Sequence, residues 1–343
     1  MKTNSPLNVA VIGAGLIGKK RAQCAAEDPG CRLAAVADND LEKASELSRA
    51  WGARAESDWR KIVSDPAIHV VVVSTPNHRL AEIACAALSR GKHVLSEKPM
   101  GRNLAEAVKM RAAAKKSGRK LKVGFNHRYH PAIAGAREEL RKGTIGEPLN
   151  IRAQYGHGGR KGYEKEWRGN FKLAGGGELT DQGVHLIDLI QWFCGRPSQA
   201  FALLQTAFWP VRPSEDNAFA LLKYKSGLVA NFHSSWTQWK NLFNLEVFGT
   251  RGFIGVNGLG GSYGPETLTV GVRENPGQVP DIKTKIFDGP DLSWKKEWAD
   301  FMAGVRENKP FLGRADEGVA VMATLNALYS SHKSGKIATV KKI

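Results

Sequence analysis

A glycine-rich turn between an apolar strand pattern and a helical pattern constrains this chain more than any other feature. The apolar run covers residues 7–12, the helical pattern extends to about residue 27, and the turn reads Gly13-Ala14-Gly15-Leu16-Ile17-Gly18. The first glycine permits a tight turn, the second lets a pyrophosphate approach the backbone, and the third allows close helix–sheet packing. N–H groups at a helix start favour an anion. The segment therefore predicts a dinucleotide-binding unit.

The same alternation of short apolar runs and helical patterns continues to about residue 125. Further strands are predicted over residues 33–37, 69–74, 93–96 and 121–125. Continuous β-branched runs separated by amphipathic helices are typical of a parallel sheet that is covered on both faces. We therefore predict a doubly wound parallel sheet, the Rossmann arrangement, over residues 1–125.

The pattern changes after residue 125, where alternating runs joined by turn residues replace the strand–helix rhythm. We predict strands near 149, 200–208, 218–224, 228–236, 243–248 and 253–256, and helices over 132–142, 180–194, 294–306 and 316–334. Hairpin spacings of this kind favour antiparallel pairing. The sequence thus predicts a second, α+β domain over residues 126–343, with a large, mainly antiparallel open sheet.

Composition and charge narrow the classes of partner. The 343 residues carry a formal net charge of +17, but no run of five like charges occurs, so we predict no nucleic-acid partner and retain an anionic small molecule. The four cysteines form no CxxC pair, which predicts neither a disulfide framework nor a metal site. With no apolar leader and no 18-residue apolar stretch, a cytoplasmic protein without membrane contact is expected.

An acidic residue in the predicted sheet bears on the choice of dinucleotide. Asp38 ends the second strand, 20 residues after Gly18. A carboxylate there accepts hydrogen bonds from ribose hydroxyls and repels a 2′-phosphate, so the sequence favours NAD over NADP. The nearby Lys43 leaves room for NADP, and helix capping by Asp38 is the simpler alternative.

Two further strand ends carry residues of interest. Ligands bind at the carboxyl ends of strands in doubly wound sheets. We assign a cofactor-binding role to the residues that follow the third and fourth strands: Thr75, Pro76, Asn77, His78, Glu97 and Lys98. A proline turn capped by Asn77, and a solvated surface lysine, are the structural alternatives.

A candidate base lies in the predicted helix over residues 180–194. Asp181 and His185 are spaced i,i+4, so they share one helix face, and Asp188 falls on the same face. Histidine accepts a proton near neutral pH, and a carboxylate orients its ring. A capping aspartate and a core histidine are the alternative, but hydride transfer needs a proton acceptor, and no other catalytic motif competes for that role.

Taken together, the ordered motifs resemble the Gfo/Idh/MocA family of oxidoreductases over nearly the whole chain. They are GAGLIG, Asp38, STPNH, SEKP, GFNHRYHP (residues 124–131) and GGGELTDQGVHLIDL (residues 175–189). The resemblance implies that Lys98, Asp181 and His185 form the catalytic set. It also implies a second domain whose open sheet builds a dimer or tetramer, and substrates among sugars, cyclitols and sugar nucleotides. Four further residues resemble positions near nicotinamide or substrate: Asn126, Arg128, Trp167 and Arg168.

The segment over residues 154–163 is the candidate substrate loop. It supplies Gln154, His157, Arg160 and Lys161, which suit hydroxyls, a carboxylate or a diphosphate. With the positive net charge, this slightly favours an anionic sugar, although a surface loop remains the structural alternative. Trp236, Trp239 and Tyr263 suit stacking on a sugar ring, but aromatic residues of a sheet more often form core or interface.

Three alternatives to net dehydrogenation stay open at this point. In the first, the bound cofactor oxidises a sugar transiently to permit elimination or epimerisation, with no net redox change. A cofactor-sensing binding protein needs no proton acceptor, which the presence of Lys98, Asp181 and His185 argues against. Charge-driven nucleic-acid binding predicts strong salt sensitivity.

Overall fold

The computed structural model describes residues 5–343, and these form two compact units. The first contains the described residues up to Phe125 together with Trp294–Val319. The second contains Asn126–Ser293 and Ala320–Ile343. The chain leaves the first unit where the sequence pattern changes, but the return of residues 294–319 to that unit was not predicted.

Within residues 5–343, the sheet of the first unit has six parallel strands in the order β3-β2-β1-β4-β5-β6. The strands are β1 (Leu7–Ile12), β2 (Cys31–Ala37), β3 (Arg54–Glu56), β4 (Val70–Val73), β5 (His93–Glu97) and β6 (Leu121–Gly124). The intervening helices are α1 (Leu16–Ala26), α2 (Leu41–Arg49), α3 (Trp59–Ser64), α4 (Asn77–Ser89) and α5 (Leu104–Ser117). The predicted doubly wound sheet is confirmed.

The burial of β4 and the two ends of α5 agree with the sequence pattern of this unit. The four valines of β4 are all fully buried, as a central parallel strand requires. Asn103 accepts a hydrogen bond from the Glu106 N–H at the start of α5, and Gly118 ends that helix in the left-handed conformation. The sequence pattern missed β3 and α3, which are only three and six residues long.

Within the described residues, the second unit has a mixed sheet in the order β14-β13-β12-β11-β7-β10-β9-β8-β15. Its strands are β7 (Pro148–Gly156), β8 (Gln199–Gln205), β9 (Asn217–Lys223), β10 (Val229–Ser235), β11 (Leu242–Gly249), β12 (Gly252–Asn257), β13 (Glu266–Val272), β14 (Asp281–Phe287) and β15 (Ala338–Thr339). The remaining helices of the chain are α6 (Pro131–Lys142), α7 (Phe171–Ala174), α8 (Val184–Cys194), α9 (Ser293–Glu307) and α10 (Ala315–Ser334).

The mainly antiparallel character of this sheet is confirmed. Only β7 and β10, among the strands that the structure describes, pair in parallel. The prediction missed β13, β14 and β15. Six of the seven β14 residues are exposed, so that strand lacks the apolar alternation by which strands are recognised.

None of the helices in residues 5–343 combines the length and the apolar character needed to cross a bilayer.

Candidate active site

The glycine turn after β1 is built by close backbone packing. Gly13 has a φ of +105°, and a Cβ there would lie 2.6 Å from the carbonyl oxygen of Ser74. A Cβ on Gly18 would lie 1.8 Å from the carbonyl oxygen of Gly13. Two of the glycines are therefore required before any ligand is considered.

The second glycine, Gly15, and the start of α1 leave room for an anion. Nothing lies within 4 Å of a Cβ placed on Gly15, and the side chain of Leu16 is 75% exposed. The first turn of α1 has no acidic residue and no side-chain cap, so the described chain leaves the positive helix end uncompensated. This arrangement fits a pyrophosphate.

The carboxylate of Asp38 is held beside that turn. Its Oδ2 accepts a hydrogen bond from the Ala14 N–H at 2.8 Å, and its Oδ1 accepts one from the Asp40 N–H at 3.0 Å. Each oxygen keeps a second lone pair, which suits the hydroxyls of a ribose. The capping alternative is not what the structure has, since Asp40 is the N-cap of α2.

Polar atoms after β4 also suit a ligand. Among residues 5–343, Thr75 Oγ1 and His78 Nδ1 are buried atoms for which the structure shows no hydrogen-bond partner. Ser74 ties this turn to the glycine turn, because its hydroxyl donates to the carbonyl of Gly13 at 2.9 Å. Asn77 is buried in the first turn of α4. These residues fit the dinucleotide that the sequence predicts.

A buried charge cluster fixes the end of β5. Arg21 is fully buried, and its Nε donates to Glu97 Oε1 at 2.7 Å while its Nη1 donates to Glu297 Oε2 at 2.6 Å. Glu97 directly precedes Lys98, which is half-buried. Burial raises the pKa of Glu297, and the charge of Arg21 opposes that rise. Sequence reasoning missed Arg21, although a charged residue on the buried side of α1 was an available signal.

A π-helical turn, Leu179–Gly183, precedes α8 and carries Asp181. The predicted helix from about residue 180 therefore begins as a π-turn, so the spacing of Asp181 and His185 is not that of a regular α-helix. π-turns are rare and occur frequently at functional sites. His185 lies in the first turn of α8 and is only 4% exposed.

The imidazole of His185 is packed between aromatic rings. His127 stacks on it with ring centroids 3.9 Å apart and an interplanar angle of 24°, and Tyr155 contacts it edge-on at 6.1 Å. His127 is itself held by Asn126, whose Oδ1 lies 3.2 Å from His127 Nδ1. Asn126 also donates to Ser293 at 3.0 Å. The sequence did not single out His127 or Tyr155.

Asp181 meets two side chains from the segment before α7. Arg168 Nε lies 3.3 Å from Asp181 Oδ2, and the Tyr163 hydroxyl donates to the same oxygen at 3.4 Å. Arg168 stacks over the ring of Trp167 at 4.5 Å. The structure thus brings Arg168 to a predicted catalytic carboxylate and adds Tyr163, which sequence reasoning missed.

His157 also contacts the ring of Tyr163. The two rings meet edge-on at 5.8 Å, and His157 Nδ1 accepts a hydrogen bond from the Gly159 N–H at 2.8 Å. Burial lowers the pKa of His157, so the neutral ring dominates at pH 7. Its proton is then on Nε2, where it is a hydrogen-bond donor.

Two other predicted substrate residues have different surroundings. Gln154 is exposed on the open side of the sheet, near Arg152 and the half-buried His233, whereas its neighbour Tyr155 is buried against His185. Successive strand residues alternate between faces, so Gln154 is directed away from His185. Arg128 makes a two-point ion pair with Asp188 at 2.9 and 2.6 Å, with both side chains almost fully buried. The carboxylate of Asp188 is therefore the ion-pair partner of the buried Arg128 guanidinium.

The loop before the π-turn rests on a buried carboxylate. Glu215 Oε1 accepts hydrogen bonds from the Gly177 and Leu179 N–H groups at 3.0 and 3.1 Å, and from the Tyr329 hydroxyl at 2.7 Å. Burial raises the pKa of Glu215 to about 7. Glu215 thus holds the backbone that presents Asp181.

Matches to two family models show which family this chain belongs to. A family model described as the oxidoreductase family, NAD-binding Rossmann fold, matches residues 7–125. A second, described as the GFO/IDH/MocA C-terminal domain, matches residues 133–255. The chain belongs to the Gfo/Idh/MocA family.

Named members of the Gfo/Idh/MocA family resemble this chain over most of its length. Levoglucosan dehydrogenase of Pseudarthrobacter phenanthrenivorans is 32% identical over 73% of each chain. The scyllo-inositol 2-dehydrogenase (NAD(+)) of Bacillus subtilis is 25% identical over 81% of each chain. A solved structure of levoglucosan dehydrogenase in complex with NADH and levoglucosan superposes with a TM-score of 0.91 at 27% identity, covering 98% of this chain and 100% of that one.

Family membership confirms the resemblance drawn from the motifs. The protein is an NAD-dependent oxidoreductase, and its first unit is the NAD-binding domain. The roles of the individual site residues stay predictions, to which the geometry above adds Tyr163 and His127.

Proposed function

We propose that this protein transfers a hydride between a secondary alcohol of a sugar or cyclitol and NAD. The observation that carries the proposal is the buried cluster in the second unit, where the ring of His185 is fixed by His127 and Asp181 is paired with Arg168. The relatives named for levoglucosan and scyllo-inositol support the class of substrate.

His185 accepts the proton of the reacting hydroxyl. Its ring is held by stacking, so its orientation does not change when substrate arrives, and preorganisation of this kind lowers the barrier. Asp181, held by Arg168 and Tyr163, supplies the negative charge that favours the imidazolium. When bound, the nicotinamide ring supplies the hydride acceptor or donor.

Lys98 completes the proposed catalytic set through the family motif. Its ammonium group donates a hydrogen bond to the reacting oxygen and stabilises developing negative charge. Glu97, locked by Arg21, fixes the backbone that leads into Lys98. His157 and Arg168 donate hydrogen bonds to other hydroxyls of the ring, or to a carboxylate where the sugar is acidic.

A panel of neutral sugars, acidic sugars and cyclitols, assayed with NAD for NADH formation, tests the proposal. At least one compound should be oxidised, and Lys98→Met and His185→Ala should each lower kcat about 100-fold or more. If both variants keep wild-type rates on the true substrate, the assigned machinery is wrong. Conversion of a sugar with no net NADH would instead favour the transient-redox alternative.

We also propose that the protein is a homodimer or homotetramer joined through the open side of the mixed sheet. Leu203, Phe219 and Leu221 are 58, 46 and 48% exposed on neighbouring strands there. Apolar groups clustered on a soluble sheet favour a protein partner, and a second copy of the chain is the simplest. The cytoplasmic location stays a prediction.

Light scattering tests the oligomer. Leu221→Lys should lower the measured mass to that of one chain, because it places a charge at the centre of the proposed contact. Val279→Lys, at an 86% exposed loop position, is the matched control and should leave the mass unchanged. A single-chain mass for the unaltered protein would contradict the proposal.

A further inference from the structure

Two large aromatic side chains form an exposed corner in the second unit. Phe208 is 61% exposed and Trp239 is 62% exposed. Their rings meet edge-to-face, with centroids 4.8 Å apart and an interplanar angle of 86°. Single exposed apolar residues are common, but two that share a perpendicular corner present two walls to one ligand.

The backbone beneath Phe208 is tightly held. The buried carboxylate of Asp216 accepts hydrogen bonds from the N–H groups of Ala207, Phe208 and Trp209, at 2.8, 2.8 and 2.9 Å. The Trp209 indole donates to the carbonyl of Trp236 at 3.0 Å. Phe208 is therefore exposed on a fixed turn.

The backbone at Trp239 is unusual. Trp239 has a φ of +55°, in the left-handed region that bulky residues rarely adopt. Its backbone lies against Gly158, where a Cβ would approach Trp239 Cα to 3.2 Å, and the ring of Trp209 lies against Gly159. Strain of this kind persists only where the surroundings enforce it, and it concentrates at ligand-binding positions.

Aromatic rings in edge-on and tilted contact link the corner to the candidate active site. Phe208 contacts Trp209 at 5.3 Å between ring centroids, and Trp209 contacts Tyr163 at 6.3 Å. The hydroxyl of Tyr163 donates to Asp181. Two ring-to-ring steps thus separate Phe208 from the tyrosine that touches the proposed catalytic carboxylate.

We propose that Phe208 and Trp239 form a distal subsite for the second sugar ring of a glycoside whose first ring is oxidised. The inference rests on the proposed sugar oxidation and specifies its substrate as a disaccharide or larger glycoside. The apolar C–H face of a pyranose packs on the indole of Trp239, while Phe208 closes one side. The loop from His157 to Gly159 contacts both the corner and Tyr163, so it positions the two rings together.

Binding to the NADH-loaded protein tests the subsite by calorimetry. The probes are methyl β-glucoside, which ends before the corner, and the disaccharides cellobiose, maltose, lactose and sucrose. We expect at least one disaccharide to bind about tenfold more tightly than methyl β-glucoside. Trp239→Ala and Phe208→Ala should each remove most of that preference, whereas Trp239→Phe should retain much of it.

Phe171→Ala is the matched control, because Phe171 is a 41% exposed aromatic residue of the same unit and lies outside the corner. It should leave the preference unchanged. The subsite is overturned if no disaccharide is preferred, or if Trp239→Ala leaves the preference intact. It is also overturned if Phe208→Ala changes only the mass in light scattering, since the corner is then a subunit contact.

The same proteins separate failure of the subsite from failure of the proposed function. NADH formation from monosaccharides by the unaltered protein, with no preference for disaccharides, keeps the function and removes the subsite. No NADH from any sugar or cyclitol of the panel removes the function itself.

Discussion

The two candidate sites of this molecule present different kinds of chemical group, main-chain atoms in one and side chains in the other. The glycine turn after β1 presents main-chain N–H groups, and its shape follows from close approach of Gly13, Gly18 and Ser74. The cluster around His185 presents side chains, each held by another side chain: His127 by Asn126, and Asp181 by Arg168.

The two sites should therefore differ in how strongly substitutions affect them. A backbone site tolerates most substitutions nearby, but almost none at its glycines. A cluster of buried side chains depends on charge pairs, and removing one member leaves its partner buried and unpaired. We therefore expect substitutions in the second unit to have larger effects on stability, and effects that depend more strongly on pH.

Removal of Arg128 should have the largest effect. Arg128→Met leaves Asp188 buried without its two-point partner, which should lower the free energy of unfolding by about 3–5 kcal/mol. Urea unfolding measures the change. The double variant Arg128→Met/Asp188→Leu should recover most of the loss. Wild-type stability with a raised KM would instead favour the substrate-binding role that the sequence predicts for Arg128.

Neutralising Glu215 should change the pH dependence of stability. Because its folded pKa is raised to about 7, the folded state holds this proton more tightly than the unfolded chain does. The stabilisation is present below the unfolded pKa and is lost as pH rises through about 7, by on the order of 3 kcal/mol.

Glu215→Gln retains an acceptor for Gly177, Leu179 and Tyr329, so its Tm should fall less than that of the wild type between pH 5 and pH 8. Scanning calorimetry at both pH values measures the difference. Glu274→Gln, at an exposed loop position, should behave like the wild type. Parallel curves for all three proteins would show that Glu215 is not the titrating group.

Substitutions at Gly15 and Gly18 should separate an effect on stability from an effect on NADH binding. Gly18→Ala places a Cβ 1.8 Å from a carbonyl oxygen, and such overpacking should lower stability by about 1–3 kcal/mol and weaken NADH binding. Gly15→Ala meets no atom within 4 Å, so it should weaken NADH binding alone. Chemical unfolding and NADH fluorescence measure the two effects. Equal stability of both variants would refute the packing argument.

The smallest expected effect concerns the choice of dinucleotide. Asp38→Asn keeps an acceptor for the Ala14 N–H but removes the charge that repels a 2′-phosphate, so the ratio of NADP to NAD affinity should rise about tenfold. Glu46→Gln removes an exposed carboxylate of α2 and should leave the ratio unchanged. Titration of both reduced cofactors gives the ratio, and no change with Asp38→Asn would remove its discriminating role.

The features that sequence reasoning found are local in the chain. The glycine turn, Asp38 and the ends of β4 and β5 are each specified by a few neighbouring residues, so strand and turn patterns predict them. The pairing of Asp181 with His185 stays a prediction from their spacing, and that spacing does not indicate the π-turn that carries Asp181.

What was missed depends on contacts between distant segments. Arg21 and Glu297 are 276 positions apart, and their pairing follows only from the return of α9 to the first unit. Alternation along β7 places Gln154 and Tyr155 on opposite faces, but it does not tell which face carries the proposed catalytic residues. That choice is made by the packing of α8 and residues 126–129, where His127 meets His185.

The return of residues 294–319 also has a consequence for how the protein is made. Trp298, Phe301, Met302 and Phe311 belong to the same hydrophobic core as Val9 and Val11 of β1. A ribosome therefore synthesises the whole intervening stretch, including every strand of the mixed sheet except β15, before the core around β1 is complete. Folding from the amino terminus as synthesis proceeds does not finish the NAD-binding unit, and a gene truncated after residue 125 encodes a core that lacks these four large side chains.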